Sequence, residues 1–288
     1  MDVVQIFNGL GNQMSQYAFY YAKKKRHPFR TLFMTSRDKS QIQHNGYELE
    51  TIFGIKSNKI KEKILFYFWR AGYFPIIGSK IFGRFSHYIN EKNNYDFTQN
   101  MLEVNHKVGF TFYFGGWHSE KYFSSLRKEL FSVFKFDDKK LNKESQNWGN
   151  IIKCDPNSCS VHVRRGDYLK DKKWSNAISP TYYDEAIKMI RSINKDTSFY
   201  VFSNDVNWCK QKFGNEGFLY IDCNKGNDSW QDMYLMTLCH HHINANSSFS
   251  WWGAWLCPFS DSVTIVPHNF ISTMETKDIY PESWIKIR

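Results

Sequence analysis

The sequence predicts an α/β protein, on three observations. The chain opens with a short apolar strand, a glycine-rich turn and an amphipathic helix. Beyond about residue 150, strand-like runs alternate with helical stretches, the rhythm of a parallel sheet wound by right-handed crossovers. One of those strands runs into VHVRRGDYLK (161–170), which gathers His162, Arg164, Arg165 and Asp167 at a strand's end. Phosphate-bearing ligands sit at the carboxyl ends of such strands. Adjacent guanidiniums meet phosphate oxygens bidentately and keep their charge at any relevant pH. For an isolated Arg-Arg, pairing with surface carboxylates is the favoured reading; strand context, the flanking His and the companion motifs shift the balance to ligand binding.

Taken in order, Val3–Phe7 reads as the first strand and Gln13–Lys25 as a helix, with Met14, Tyr17, Ala18 and Tyr21 on one face. Between them, Gly9 and Gly11 let the backbone approach a ligand, and the helix start offers free N–H groups to an anion. Alone, this G-x-G is equally a tight βα turn. Asn12 and Gln13 suit either a sugar hydroxyl or a helix cap. Residues 30–110 mix helical and irregular patterns. Within them the aromatic stretch 64–85 lies in a basic neighbourhood, with seven Lys or Arg from Lys56 to Arg84 against Glu62 alone. Two readings stand for 56–85: a surface for anionic membrane or a lipid-linked acceptor, or a core helix with a solvated basic edge. The polar run LNKESQNWGN (141–150) predicts a boundary between domains 1–150 and 151–288.

In the second half, strands are predicted at Ser160–Val163, Phe199–Ser203, Phe218–Ile221, His242–Ala245 and Val263–Pro267. Helices are predicted at Thr181–Ile193, Val206–Lys212, Trp230–His240 and Phe249–Leu256, giving a Rossmann-like domain. Two further motifs fall at strand ends. In Asn246-Ser247-Ser248 the serines stand at a helix N-terminus, where hydroxyls and N–H groups receive a diphosphate or one serine merely caps the helix. In Phe202-Ser203-Asn204-Asp205 the carboxylate either accepts N–H bonds from a guanine edge or ribose hydroxyls, or caps the helix at Val206.

Composition narrows the class. Hydrophobic content of 42% and aromatic content of 18% exclude a disordered chain. A formal charge of +10 and a pI near 9.1 imply an anionic partner. Six cysteines without C-x-x-C spacing indicate neither a zinc site nor a disulfide framework, so a reduced, intracellular protein is expected. No secretory signal and no membrane-spanning apolar run is read, which predicts a soluble or peripherally attached protein. No Asp-x-Asp occurs, so no obvious carboxylate pair for a divalent ion bridging a diphosphate is present. The run Cys239-His240-His241-His242 reads as a helix end entering a strand, because consecutive helical residues do not converge on one ion.

Together these segments resemble the α-1,2-fucosyltransferases of glycosyltransferase family 11. The carriers are VVQIFNGLGNQMSQYAF, FYFGGWHSEKYF, VHVRRGDY, FSND, INANSSFSWWGAWL and PESWIKIR, in order along nearly the whole chain. The resemblance implies a GT-B-type fold, two Rossmann-like domains with parallel sheets facing a central cleft. Domain 1–150 would be the acceptor side and 151–288 the nucleotide-sugar side. It implies GDP-β-L-fucose as donor, the 2-hydroxyl of a galactose-terminated oligosaccharide or lipid-linked glycan as acceptor, and inversion at the anomeric carbon. No metal or other cofactor and no nucleic acid partner is expected, and the place of work is the cytoplasm, at or near the inner membrane. By carry-over, Arg165 holds the β-phosphate with Arg164 beside it, and Asp205 holds the guanosine end. Ser247 and Ser248 hold the diphosphate and Asn12 reaches the fucose or its leaving oxygen, while His162 lies near the nucleotide and Asp167 orients the arginines. Asn8, Ser15, Gly116 and His118 depart from the family's usual residues, which leaves acceptor specificity open. His118 and Glu120 are candidate general bases, with surface or acceptor-positioning roles as the competing reading; Asp167, beside two arginines, would be a poor one. The rival readings are an inverting transferase with another donor such as GDP-mannose, and a non-catalytic basic polyanion or lipid binder.

Overall fold

The computed structural model describes residues 1–35, 45–73, 84–92, 95–166 and 168–288, without the side chains of 71–73. Asp167 and residues 74–83 of the aromatic stretch therefore lie outside the described residues. The chain divides into two units, Met1–Lys135 and Phe136–Arg288.

Unit 1 contains β1 (Asp2–Ile6), α1 (Leu10–Arg26), β2 (Thr31–Thr35), α2 (Leu49–Phe53), α3 (Lys59–Tyr73), β3 (Ser86–Asn90), β4 (Phe110–Phe114) and α4 (Arg127–Val133). Its sheet runs β2-β1-β4-β3 with every pair parallel. All five residues of β1 are buried, as expected of a parallel strand covered on both faces. Strand alternation sorts them. Val3 sits opposite Phe112 and packs with Leu65 of α3, whereas Val4 sits opposite Tyr113, whose ring meets Phe19 of α1. Asp2 shares the Val4 face and forms a fully buried ion pair with Lys23 of α1 at 2.9 Å.

Unit 2 contains α5 (Lys143–Lys153), β5 (Ser158–Val163), α6 (Lys172–Ser175), α7 (Tyr182–Ile193), β6 (Ser198–Ser203), α8 (Val206–Phe213), β7 (Phe218–Ile221), α9 (Trp230–Leu238), β8 (His241–Ile243), α10 (Ser248–Trp255), β9 (Thr264–Pro267) and β10 (Ile285–Ile287). The sheet order is β10-β9-β8-β5-β6-β7, again parallel throughout. Cys159, Val161 and Val163 face α7, packing with Tyr182, Ala186 and Ile190. Two parallel-sheet α/β units bear out the predicted GT-B-type class. The Cys-His run does leave α9 and enter β8 as expected.

The polar stretch 141–150 is not a linker between the units. It forms most of α5, N-capped by Asn142, whose Oδ1 accepts from Ser145 N–H at 2.8 Å. Its Gly149 lies against Leu235 and Leu238 of α9, and ahead of it Phe136 already stacks on Trp230, so unit 2 begins upstream of the polar run. The run is polar because α5 buries only one face, through Ser145, Gly149 and Ile152.

Candidate active site

In unit 2 the chain runs β5, β6, β7 in one direction and then returns to place β8 on the other side of β5. The reversal falls at the carboxyl ends of β5 and β8, the position where open α/β sheets bind ligands. The loops leaving those two strands are the arginine motif and Asn246-Ser247-Ser248. Topology thus brings together two segments more than eighty residues apart in sequence, as the Val161–Ile243 register shows. Tyr168 Oη donates to the Asn246 carbonyl at 3.3 Å, and the Asn246 side-chain amide donates to the Trp174 and Phe270 carbonyls at 3.1 and 2.9 Å. Asn246 Oδ1 is buried without a hydrogen-bond partner among the described residues.

Arg165 is held from two sides. Its Nε donates to Asp205 Oδ2 at 3.1 Å, and its guanidinium lies 4.1 Å from the ring centre of Trp208. Its backbone N–H donates to Asn204 Oδ1 at 2.9 Å, and Gly166 has no side chain because a Cβ there would lie 2.5 Å from Asn204 Nδ2. Among the described residues, no hydrogen bond engages the two terminal nitrogens of Arg165. Arg164 is half-buried with its guanidinium 5.5 Å from the Tyr168 ring centre. Asp205 does both things weighed for it locally: Oδ1 caps α8 by accepting from Trp208 N–H at 3.2 Å, while Oδ2 holds the arginine. Ser247 Oγ caps α10 through Phe249 N–H at 3.3 Å, which leaves Ser248 half-buried in the first turn.

His162 is buried. Its Nδ1 lies 2.8 Å from Ser250 Oγ inside the sheet–helix interface, and burial, with Arg164 nearby, pulls its pKa down to about 3. It is a neutral residue at physiological pH and contributes no charge to an anion. The sequence's alternation along β5 places Ser160 and His162 on one face, and Ser160 Oγ pairs likewise with His242 Nδ1 at 2.8 Å.

Unit 1 reverses its strand order in the same way, between β1 and β4. The loop after β1 differs from expectation. Helix α1 begins at Leu10, so Gly11 and Asn12 lie inside its first turn, and neither Gly9 nor Gly11 has a positive φ. The left-handed residue is Asn8, with φ of 64°. The asparagine side chain tolerates this region, which is why the turn does not need glycine there. Gln13 is internal glue: its amide donates to the Asn8 and Gly46 carbonyls, and its Oε1 accepts from Glu48 N–H. Asn12 stays half-buried at the helix start.

The loop after β4 carries Gly115-Gly116-Trp117-His118. Gln16 of α1 donates to the Gly115 carbonyl at 3.0 Å, and His118 Nδ1 lies 2.9 Å from Ser15 Oγ. Ser15 donates to the Gly11 carbonyl at 3.2 Å, so its oxygen accepts from His118 Nδ1–H and Nε2 is the ring's acceptor nitrogen. A Cβ at Gly116 would lie 2.6 Å from that Nε2, so the glycine makes room for the imidazole. Three of the family departures, Ser15, Gly116 and His118, thus form one mutually fitted group. Burial pulls His118 down to about 4, leaving it neutral. Glu120 is half-buried at the start of a short 3₁₀ turn. Trp208 and Glu91, which sequence reasoning did not single out, belong to these two edges; Glu91 Oε2 accepts from the Gly116 and Trp117 N–H groups.

Among the described residues, no three His, Cys, Asp or Glu side chains converge as a metal site, and no helix is long and apolar enough to cross a membrane. The family model described as Glycosyl transferase family 11 matches residues 2–288. The chain is 31% identical to an alpha-1,2-colitosyltransferase of Escherichia coli, over 99% of this chain and 98% of that protein. It is 28% identical to the O-antigen biosynthesis glycosyltransferase WbnK of Escherichia coli, over 97% and 98% of the two chains. A galactoside alpha-(1,2)-fucosyltransferase 1 of Leontocebus fuscicollis is 26% identical over 58% of this chain and 49% of that one. The solved fucosyltransferase NodZ from Bradyrhizobium shares the fold, with a TM-score of 0.53, 14% identity and coverage of 89% and 92%.

Proposed function

The chain belongs to glycosyltransferase family 11, and from that membership we propose that it transfers L-fucose from GDP-β-L-fucose to the 2-hydroxyl of a galactoside, inverting the anomeric carbon without a divalent metal. The observation that carries this reading is the meeting of Arg164-Arg165 with the Ser247-Ser248 helix start at the unit 2 reversal point. As the sugar–phosphate bond breaks, negative charge builds on the β-phosphate. Arg165, held by Asp205 and Trp208, offers its terminal nitrogens to that charge without having to reorganise. The first-turn N–H groups and serine hydroxyls of α10 take the remaining diphosphate oxygens. With these charges fixed before the reaction, the leaving group is stabilised more in the transition state than in the bound donor.

The test is transfer from GDP-fucose to a panel of β-galactosides in excess chelator, with the new linkage mapped. The expected product carries an α-1,2-linked fucose. Activity that appears only when magnesium or manganese is restored overturns metal independence. Because the colitosyltransferase relative spans both chains almost completely, GDP-colitose is the competing donor, with GDP-mannose beside it. Preference for either over GDP-fucose overturns the donor assignment.

The reading extends to location. All six cysteines are free thiols, which suits a reducing cytoplasm. Helix α3 buries Glu62 and Leu65 but exposes Ile60, Ile64 and Tyr67, one turn apart, among the exposed Lys59, Lys61, Lys63 and Arg70. An apolar ridge flanked by cations suits the surface of an anionic membrane, where lipid-linked acceptors reside. Sedimentation with phosphatidylglycerol vesicles is expected, reduced by salt and by Ile64→Glu; equal binding to phosphatidylcholine vesicles, or none to either, overturns the docking role.

A further inference from the structure

One carboxylate is built into the carboxyl edge of the unit 1 sheet with part of its bonding capacity unused. Glu91 follows β3, and its backbone N–H donates to the Phe114 carbonyl at 2.8 Å. Its Oε2 accepts from Gly116 N–H at 2.7 Å and Trp117 N–H at 2.9 Å. Its Oε1 is buried and has no hydrogen-bond partner among the described residues. Gly115 cannot carry a side chain here, because a Cβ would lie 2.4 Å from Glu91 Cβ. Trp117, Tyr95 and Asn8, the non-glycine residues with left-handed backbone among those described, all stand on this edge, with φ of 52°, 56° and 64°. Strain of this kind collects where a ligand is held. The loop that grips Glu91 is also one side of the β1/β4 reversal, the position that topology assigns to ligands.

We propose that Glu91 is the carboxylate that meets the acceptor sugar, with Oε1 accepting a hydrogen bond from the attacking hydroxyl and taking its proton. The assignment rests on the transferase reading given above. In the step, the hydroxyl oxygen bonds to the anomeric carbon of the donor sugar. The bond from that carbon to the β-phosphate oxygen breaks, and its electron pair leaves with the nucleoside diphosphate. The hydroxyl proton passes to Oε1, giving a neutral carboxyl that later releases it to water. Two N–H groups on Oε2 fix the carboxylate plane, so Oε1 is presented in one orientation. Burial raises the Glu91 pKa to about 7, partly opposed by those N–H groups. A base serves best when its pKa lies near the working pH. Gly116, which donates to Glu91, lies against His118, bonded through Nδ1 and held near 4, and against Tyr95, whose ring packs on His118.

The decisive variant is Glu91→Gln, whose amide oxygen still accepts from the two N–H groups but takes no proton. Transfer is expected to fall by about 10²–10⁴-fold in kcat, the contribution of a general base. GDP affinity and melting temperature should stay at wild-type values, showing that the fold and the donor side are intact. In the wild type, kcat/KM should decline as pH falls through about 7; this acid limb should be missing from the variant's residual activity. Partial recovery by Glu91→Asp, which restores the carboxylate, supports the same role. A variant that keeps most of kcat, or loses it while retaining the acid limb, overturns the assignment and leaves Glu91 as a loop support. If the wild type transfers from no sugar nucleotide, the transferase reading fails first and this assignment with it.

Discussion

Arg165→Lys is expected to lower kcat by about 10²–10³-fold, equivalent to ~2.7–4 kcal/mol of transition-state stabilisation. The reason lies in how the guanidinium is used. Nε is spent on Asp205 and the planar face on Trp208, which leaves two forked terminal nitrogens for the proposed diphosphate. An ammonium is a compact point charge: if it bonds Asp205, it cannot also present two parallel donors or lie flat on an indole. GDP affinity should fall less than kcat, because α10 still meets the diphosphate in the ground state. Pre-steady-state turnover and GDP calorimetry on the same preparation separate the two effects. Retention of most of kcat would remove Arg165 from the leaving-group role. Trp208→Leu, which keeps the charge and removes its platform, should fall between wild type and Arg165→Lys.

The largest effect on stability is expected from Lys23→Met. Lys23 is fully buried, paired with Asp2 at 2.9 Å, donating to the Met101 and Glu103 carbonyls at 2.7 Å each, and 4.3 Å from the Tyr113 ring centre. Burial pulls its pKa down, opposed mainly by Asp2, so the ammonium is kept charged by its partners. Methionine fills the space but leaves the Asp2 carboxylate buried beside only neutral donors, at an expected cost of about 3–5 kcal/mol. Denaturant titration should show an unfolding transition at lower midpoint. Asp2→Asn/Lys23→Met should lose less than the two single variants together, because the uncompensated charge is gone. Additive losses would mean that the pair acts through packing alone.

Unit 2 was legible because its signals are local. Each strand is a short apolar run, and each motif sits directly after one, so alternation and a turn suffice to place Arg165, Asp205 and Ser247 at a sheet edge. Their convergence was legible only through strand order, which periodicity does not encode. Trp208 is not marked by its sequence because its partner Arg165 follows the preceding strand, although it lies one helical turn beyond the Asp205 cap. Glu91 was invisible for a different reason. It follows β3, an outer strand of the unit 1 sheet in which only Ser86 is buried, so no apolar run announces that strand. The turn after β1 misled in the opposite direction, since glycines drew attention that the backbone assigns to Asn8. His162 shared the arginine motif's sequence but not its exposure, because it lies inside β5 against Ser250 of α10 whereas both arginines stand beyond the strand's end.

The position of β1 also governs how the protein is made. It is synthesised before the other strands of its sheet, yet it occupies the interior of that sheet, with Val3 paired to Leu32 on one side and to Phe112 on the other. On the ribosome, the second of these edges stays open while most of unit 1 is still being translated. Such delayed, non-local closure folds slowly and leaves an apolar edge available to other chains. Recombinant yield should therefore respond to growth temperature and chaperone supply through unit 1, while unit 2, whose first three strands β5, β6 and β7 pair in order of synthesis, starts to assemble as it emerges.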